Sequence, residues 1–178
     1  MESRLSELPH RPPVIGLDDA PPYLLAPLLE TLAERQIRCA VIQLAGTDYG
    51  PDIPGKDSYE LRKAGVDRLL LAAEQKSALI HEHPDDPPDL ARCLALLDLS
   101  TLDLVLVTDP PADWLPTSRW LRMHHNDASL ADAPHCLAYL ADQPLDTPIP
   151  VLPASDPERI AAFLHATVLS PVSGDHDP

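Results

Sequence analysis

Two short runs constrain this chain more than anything else in it. Cys39–Leu44 is apolar apart from Gln43, and Leu102–Val107 is apolar apart from Asp103. Strands that show one face to water alternate apolar and polar residues. Runs this continuous belong to strands covered on both faces, as in α/β sheets. Between and around them the apolar period changes to 3.6. Leu24, Leu25, Leu28, Leu29 and Leu32 fall on one face of a helix predicted over about Pro21–Gln36, with Pro27 one turn inside. Leu90, Cys93, Leu94 and Leu97 do the same within Pro88–Leu97. Strands alternating with helices predict an α/β fold, a three-layer domain with a mixed, mostly parallel sheet.

Further elements follow from local signals. Val14-Ile15-Gly16-Leu17 reads as the first strand. Arg68–Ala73 and Lys76–His81 are separated by a short gap and predict an antiparallel hairpin added to the sheet. Trp120–His124, His135–Ala141 and Val151-Leu152 read as strands. Asp156 caps a last helix from Pro157 to about Thr167, with Ile160, Phe163 and Leu164 turned inward. Residues 13–169 then make one domain, with flexible tails at 1–12 and 170–178.

Charge narrows the function classes. The 178 residues carry 28 acidic and 13 basic side chains, a net −15. That balance opposes binding to nucleic acid or to an anionic membrane surface. No run is long and apolar enough to span a bilayer, and no leader sequence is read at the start, so the expected location is the cytoplasm. Cys39, Cys93 and Cys136 lack metal-ligand spacing and read as free thiols, the first and last in strands and Cys93 in a helix. His81-Glu82-His83 and His124-His125 with Asp127 are weak metal candidates, read as loop residues. No catalytic nucleophile–base arrangement is legible, and no metal site is assigned. Trp114 and Trp120 suit a partner anchor and core packing equally.

One stretch carries a more specific signal. Pro54-Gly55 is a turn, Ser58 reads as the cap of a helix over Tyr59–Ala64, and Gly65 as its left-handed stop. Lys56, Asp57 and Ser58 place a cation, an anion and a hydroxyl at that helix start. Pro54-Gly55-Lys56-Asp57-Ser58-Tyr59 with Leu61–Gly65 resembles the signature of the MobB family, GTP-binding adaptor proteins of molybdopterin-guanine dinucleotide biosynthesis. Leu32–Gln43, Lys76–Glu82, Leu102–Val107 and Val151–Leu164 are similar to other parts of that family, so the resemblance runs from about Val14 to Leu164.

The resemblance implies a P-loop-NTPase-like fold, GTP with Mg²⁺ as ligands, a homodimer, and partners among molybdenum-cofactor maturation proteins or a molybdoenzyme client. It also implies a phosphate loop at Leu17, Asp18, Asp19, Ala20, Pro21 and Pro22, counting back without a gap from Arg35. Such a loop needs backbone N–H donors, a lysine and a hydroxyl. Here Asp18 and Ala20 replace glycines, Pro21 stands at the lysine and Pro22 at the hydroxyl. Thr108-Asp109-Pro110-Pro111 and Gln43-Leu44-Ala45-Gly46 depart from the family near the nucleotide as well. Three readings stand: a non-catalytic adaptor with a degenerate phosphate loop and no bound cofactor; a protein that still binds GTP or molybdopterin through Gly55, Lys56, Asp57, Ser58 and Arg62; or an acidic scaffold subunit of an unrelated assembly.

Overall fold

The computed structural model describes residues 11–45, 55–82, 88–124 and 136–170. In chain order the elements are β1 (Val14–Asp18), α1 (Pro22–Glu34), β2 (Cys39–Gln43), α2 (Asp57–Lys63), β3 (Arg68–Ala72), β4 (Ser77–His81), α3 (Leu90–Ala95), β5 (Leu104–Thr108), β6 (Trp120–Met123), β7 (Ala138–Leu140), β8 (Val151–Leu152) and α4 (Pro157–Leu164). Contacts divide the chain into two compact units, Met1–Leu44 with Leu94–Pro178, and Ala45–Cys93.

The larger unit holds a six-stranded sheet in the order β2-β5-β1-β6-β7-β8. Every pairing in it is parallel. The apolar run Leu104–Thr108 takes an interior position, and all five of its residues are buried. Alternate side chains leave opposite faces of each strand. Ile15 and Leu17 of β1, Leu106 of β5, Leu121 of β6 and Leu140 of β7 join Leu24, Leu28 and Leu32 of α1 and Ile160, Ala161 and Leu164 of α4 in one core. Removing such a leucine from water is worth about 1.5–3 kcal/mol. On the other face, Gly16 leaves room for Pro110, Leu115 and Trp120. A Cβ built there would meet their side chains at 3.2–3.3 Å. The segment after β5 therefore closes over the centre of the sheet.

Helix ends follow side-chain chemistry. α1 begins one residue later than expected, with Pro21 as its extended N-cap. It ends in a Schellman turn: Ile37 N–H donates to Leu32 O, Gln36 N–H donates to Ala33 O, and Gln36 sits at φ 60°. The Asp156 carboxylate accepts from Arg159 N–H, as a cap should. α4 stops at Leu164 and continues as a π-helix over His165–Leu169, where Ser170 N–H donates to His165 O. β7 is shorter than expected, and Cys136 precedes it rather than lying within it, because pairing with β6 starts only at Ala138.

The smaller unit contains α2 and the hairpin. β3 and β4 pair antiparallel, with Leu70 opposite Leu79. The expectation that this hairpin extends the main sheet is corrected: it forms a separate two-stranded sheet. Three of its leucines are exposed, Leu70 at 63%, Leu79 at 46% and Leu71 at 40%.

Candidate functional site

In an open parallel sheet, the crevice for a ligand opens at the strand C-termini where consecutive connections leave in opposite directions. The chain leaves β1 toward β2 on one side and leaves β6 toward β7 on the other. That rule points to the ends of β1 and β6, where Asp18 lies in register with Arg122. The predicted phosphate-loop residues Leu17–Pro22 fall here, between the end of β1 and the start of α1.

The turn is tied to the end of β5. Asp19 adopts φ 55° and Asp109 φ 46°. Asp19 N–H donates to Asp109 Oδ1 at 2.8 Å, and Asp109 N–H donates to Leu17 O at 2.8 Å. Pro21 and Pro22 carry no N–H. Leu24 N–H turns back to Pro21 O at 2.9 Å. Pro21 and Pro22 thus offer no donor and the Asp19 N–H is engaged, while Asp18, Asp19 and Asp109 bring carboxylates to the same turn.

Arg122 is the counter-charge. Its Nε lies 3.5 Å from Asp18 Oδ2, and its guanidinium sits 5.0 Å from the centre of the Trp120 ring. Among the described residues this buried Nε has no hydrogen-bond partner. Burial raises the Asp18 pKa above the ordinary 3.8; Arg122 pulls it down, while Asp19 and Asp109 push it up. A carboxyl raised in the folded state holds its proton longer than in the unfolded chain. Stability from this group is therefore greatest below pH 3.8 and falls as pH rises through its folded pKa. We expect Arg122→Gln to move the Asp18 titration further up, read by carboxyl carbon NMR. An unchanged titration would show that the cation does not act on Asp18.

Beside Arg122 lie groups that were not anticipated as one cluster. Tyr139 is its register partner on β7. His124 meets Tyr139 edge-to-face at 6.2 Å. The Cys136 thiol is pushed up by burial, with Arg122 opposing. Cys39 is pushed up by burial to about 12, so it is an inert thiol. Trp120 is buried and donates from Nε1 to Leu115 O at 3.2 Å, which makes it a packing residue; Trp114 is half-buried. His81 Nε2 accepts from Arg68 Nε at 3.3 Å. His83, His125 and Asp127 lie outside the described residues.

The second predicted group sits in the smaller unit. Gly55 adopts φ 88° with open space where a Cβ would be. Ser58 is not the cap: α2 starts at Asp57, and Lys56 holds the N-cap position. Gly65 at φ 94° does stop the chain after α2. Lys56 and Asp57 are exposed. Arg62 is ion-paired to Glu82 at 2.5 Å, and Lys63 lies 5.6 Å from the Tyr59 ring centre. Tyr59, Arg62, Lys63 and Glu82 line a pocket of about 240 Å³. Pro54 lies outside the described residues.

Residues 22–135 match the profile of the family described as MobB, molybdopterin guanine dinucleotide synthesis protein B. A molybdopterin-guanine dinucleotide biosynthesis adapter protein from Escherichia coli strain K12 is 35% identical over 144 residues, 79% of this chain and 82% of that protein. The chain belongs to the MobB family. A second molybdopterin-guanine dinucleotide biosynthesis adapter protein, from Haemophilus influenzae, is 28% identical over 141 residues, 79% of each chain. Among solved structures, MobB from Bacillus subtilis aligns with TM-score 0.62 over 92% of this chain and 99% of that one, at 17% identity. A MobB homologue from Bacillus stearothermophilus gives 0.59 over 89% and 99%, at 18% identity. These share the fold. The MobB profile opens at Pro22, so Leu17–Pro21 precede the matched span.

Proposed function

We propose that this chain serves molybdopterin-guanine dinucleotide biosynthesis as an adaptor that works through protein surfaces and does not bind GTP at the β1–α1 turn. Family membership supports the process. The turn itself supports the mode: its Asp19 N–H is spent on Asp109, Pro21 and Pro22 offer no donor, and three carboxylates gather at the same turn. Anionic phosphates brought beside Asp18, Asp19 and Asp109 meet like charge in a partly dry crevice. Its partners are other maturation proteins or a molybdoenzyme client, met in the cytoplasm. The observation that carries this reading is the Asp19–Asp109 clasp.

The test is calorimetric titration with GTP and Mg²⁺. No saturable binding is expected up to about 1 mM, a ceiling of roughly −4 kcal/mol. Micromolar binding that survives Lys56→Ala would overturn the proposal. The pocket lined by Tyr59, Arg62 and Lys63 favours a second reading, in which ligand binding persists through Gly55, Lys56, Asp57, Ser58 and Arg62. Binding lost with Lys56→Ala would select that reading. Arg62 is already committed to Glu82, which leaves Lys56 as the more available cation.

The adaptor acts as a homodimer joined through the β3–β4 hairpin. A two-stranded sheet is marginal in water by itself. Here Leu70, Leu71 and Leu79 are exposed on it, with Leu61 of α2 and Val66 exposed in the same unit. A second copy supplies the cover that this apolar surface lacks.

A further inference from the structure

At the other end of the same sheet, a pocket of about 440 Å³ opens beside the N-termini of β1, β2 and β5. It is lined by Arg11 and Pro13 before β1, by Arg35, Gln36 and Ile37 between α1 and β2, by Asp103 before β5, and by His165, Val168, Leu169 and Ser170. Its volume falls in the roughly 300–1,000 Å³ range of small-ligand sites.

Its charge runs against the rest of the molecule. In a chain of net −15, two guanidiniums and an imidazole meet at one opening. The one carboxylate in the lining is already occupied: Asp103 accepts from Arg38 Nε at 2.9 Å, from Arg38 Nη2 at 2.8 Å and from Arg38 N–H at 2.8 Å. Arg35 gives Nη2 to Glu158 at 2.6 Å, so one edge of its guanidinium is engaged. Among the described residues, Arg11 and His165 form no ion pair. The C-terminal ends of α1 and of the π-helix bring partial negative charge to this side, about half an elementary charge each and confined to the last turn. Arg35 is balanced by Glu158, so the charge of Arg11 is what remains to meet an incoming anion.

The backbone here is also unusual. Gln36 holds a left-handed position that glycine fills at lower cost, and the helix that continues α4 widens to π geometry where it meets the pocket. Both departures occur in lining residues. Pro13, Ile37, Val168 and Leu169 supply an apolar wall beside the cations.

We infer that this pocket binds an acidic segment of a partner protein, with a carboxylate held by Arg11 and Arg35 and a neighbouring apolar side chain laid against Val168 and Leu169. A planar guanidinium matches a carboxylate in two parallel hydrogen bonds, and the attraction weakens as salt rises. The inference rests on the adaptor reading only for the occupant being a protein.

The test uses the full chain labelled with ¹⁵N. The probe is an acetylated hexapeptide alternating leucine and glutamate, with a free terminal carboxylate. Its control carries glutamine and a terminal amide. The acidic peptide is expected to shift the amides of Gln36, Ile37, Val168 and Leu169 saturably, with Kd of about 0.1–1 mM. The control should bind at least about tenfold more weakly, and Arg11→Glu should cost a similar factor. Arg35→Glu should do the same, but it also breaks the Glu158 pair, so Arg11→Glu is the cleaner variant. Equal binding of both peptides, shifts mapping elsewhere, or no saturable shift by about 5 mM would overturn the inference. The GTP titration reads the opposite end of the sheet, so either proposal can fail alone.

Discussion

Leu70→Glu with Leu79→Glu is expected to convert the proposed hairpin-joined dimer into a folded monomer. The two leucines face each other across the hairpin and are 63% and 46% exposed within one chain. Covering each is worth about 1.5–3 kcal/mol. In a two-fold interface every substitution counts twice, and it places carboxylates against carboxylates. A loss of at least about 4 kcal/mol, near a thousandfold in Kd, follows. Light scattering over a dilution series measures it. Directly opposed glutamates also weaken a strand pair. Leu70→Lys with Leu79→Glu removes that objection, since it keeps an attractive cross-strand pair while making the surface polar. Monomer from both double variants supports the hairpin interface. A dimer that persists in the Lys/Glu variant, or a parent chain that is monomeric at micromolar concentration, would refute it.

Trp120→Ala is expected to cost about 3–5 kcal/mol of folding stability, a large share of what a domain of this size possesses. Trp120 is 3% exposed, contacts the space over Gly16, and ties the segment after β5 through its bond to Leu115 O. It also lies beneath the Arg122 guanidinium. Truncation leaves a cavity beside Gly16 and removes the ring that faces the half-buried Arg122 guanidinium. Trp120→Phe retains most of the volume and loses the indole hydrogen bond, so about 1–2 kcal/mol is expected. Denaturant unfolding followed by circular dichroism distinguishes the two. An alanine variant within about 1 kcal/mol of the parent would show that this face is not closed as described.

Much of this fold is visible in the sequence because its strongest signals are local. The apolar run at Leu104–Thr108 announces a strand buried on both faces. Leu24, Leu28 and Leu32 mark the inner stripe of α1, and Asp156 marks the start of α4. What escaped depends on distant residues. Asp109 reaches Asp19 from 90 positions away, and no pattern around Asp19 signals that bond. Arg122 looks like an outward residue of a short strand until its register with Asp18 is known. The basic pocket draws on several separate segments, each unremarkable alone. Ser58 resembled a cap because its hydroxyl is the commoner capping group, yet the chain turns helical one residue earlier, at Asp57. The hairpin was legible as a pair, but edge-on pairing to a larger sheet leaves no mark in its own residues.

The strand order has a consequence for synthesis. β5 is the neighbour that joins β1 to β2, yet it is made after both. At about 5–20 residues per second, the two earlier strands wait several seconds on the ribosome without a mate. The hairpin, whose two halves are adjacent in sequence, needs no such wait. A nascent chain of this kind therefore exposes oily, unmatched strands early, and holding factors that shield them should raise its yield more than they would for a protein built from local pairs.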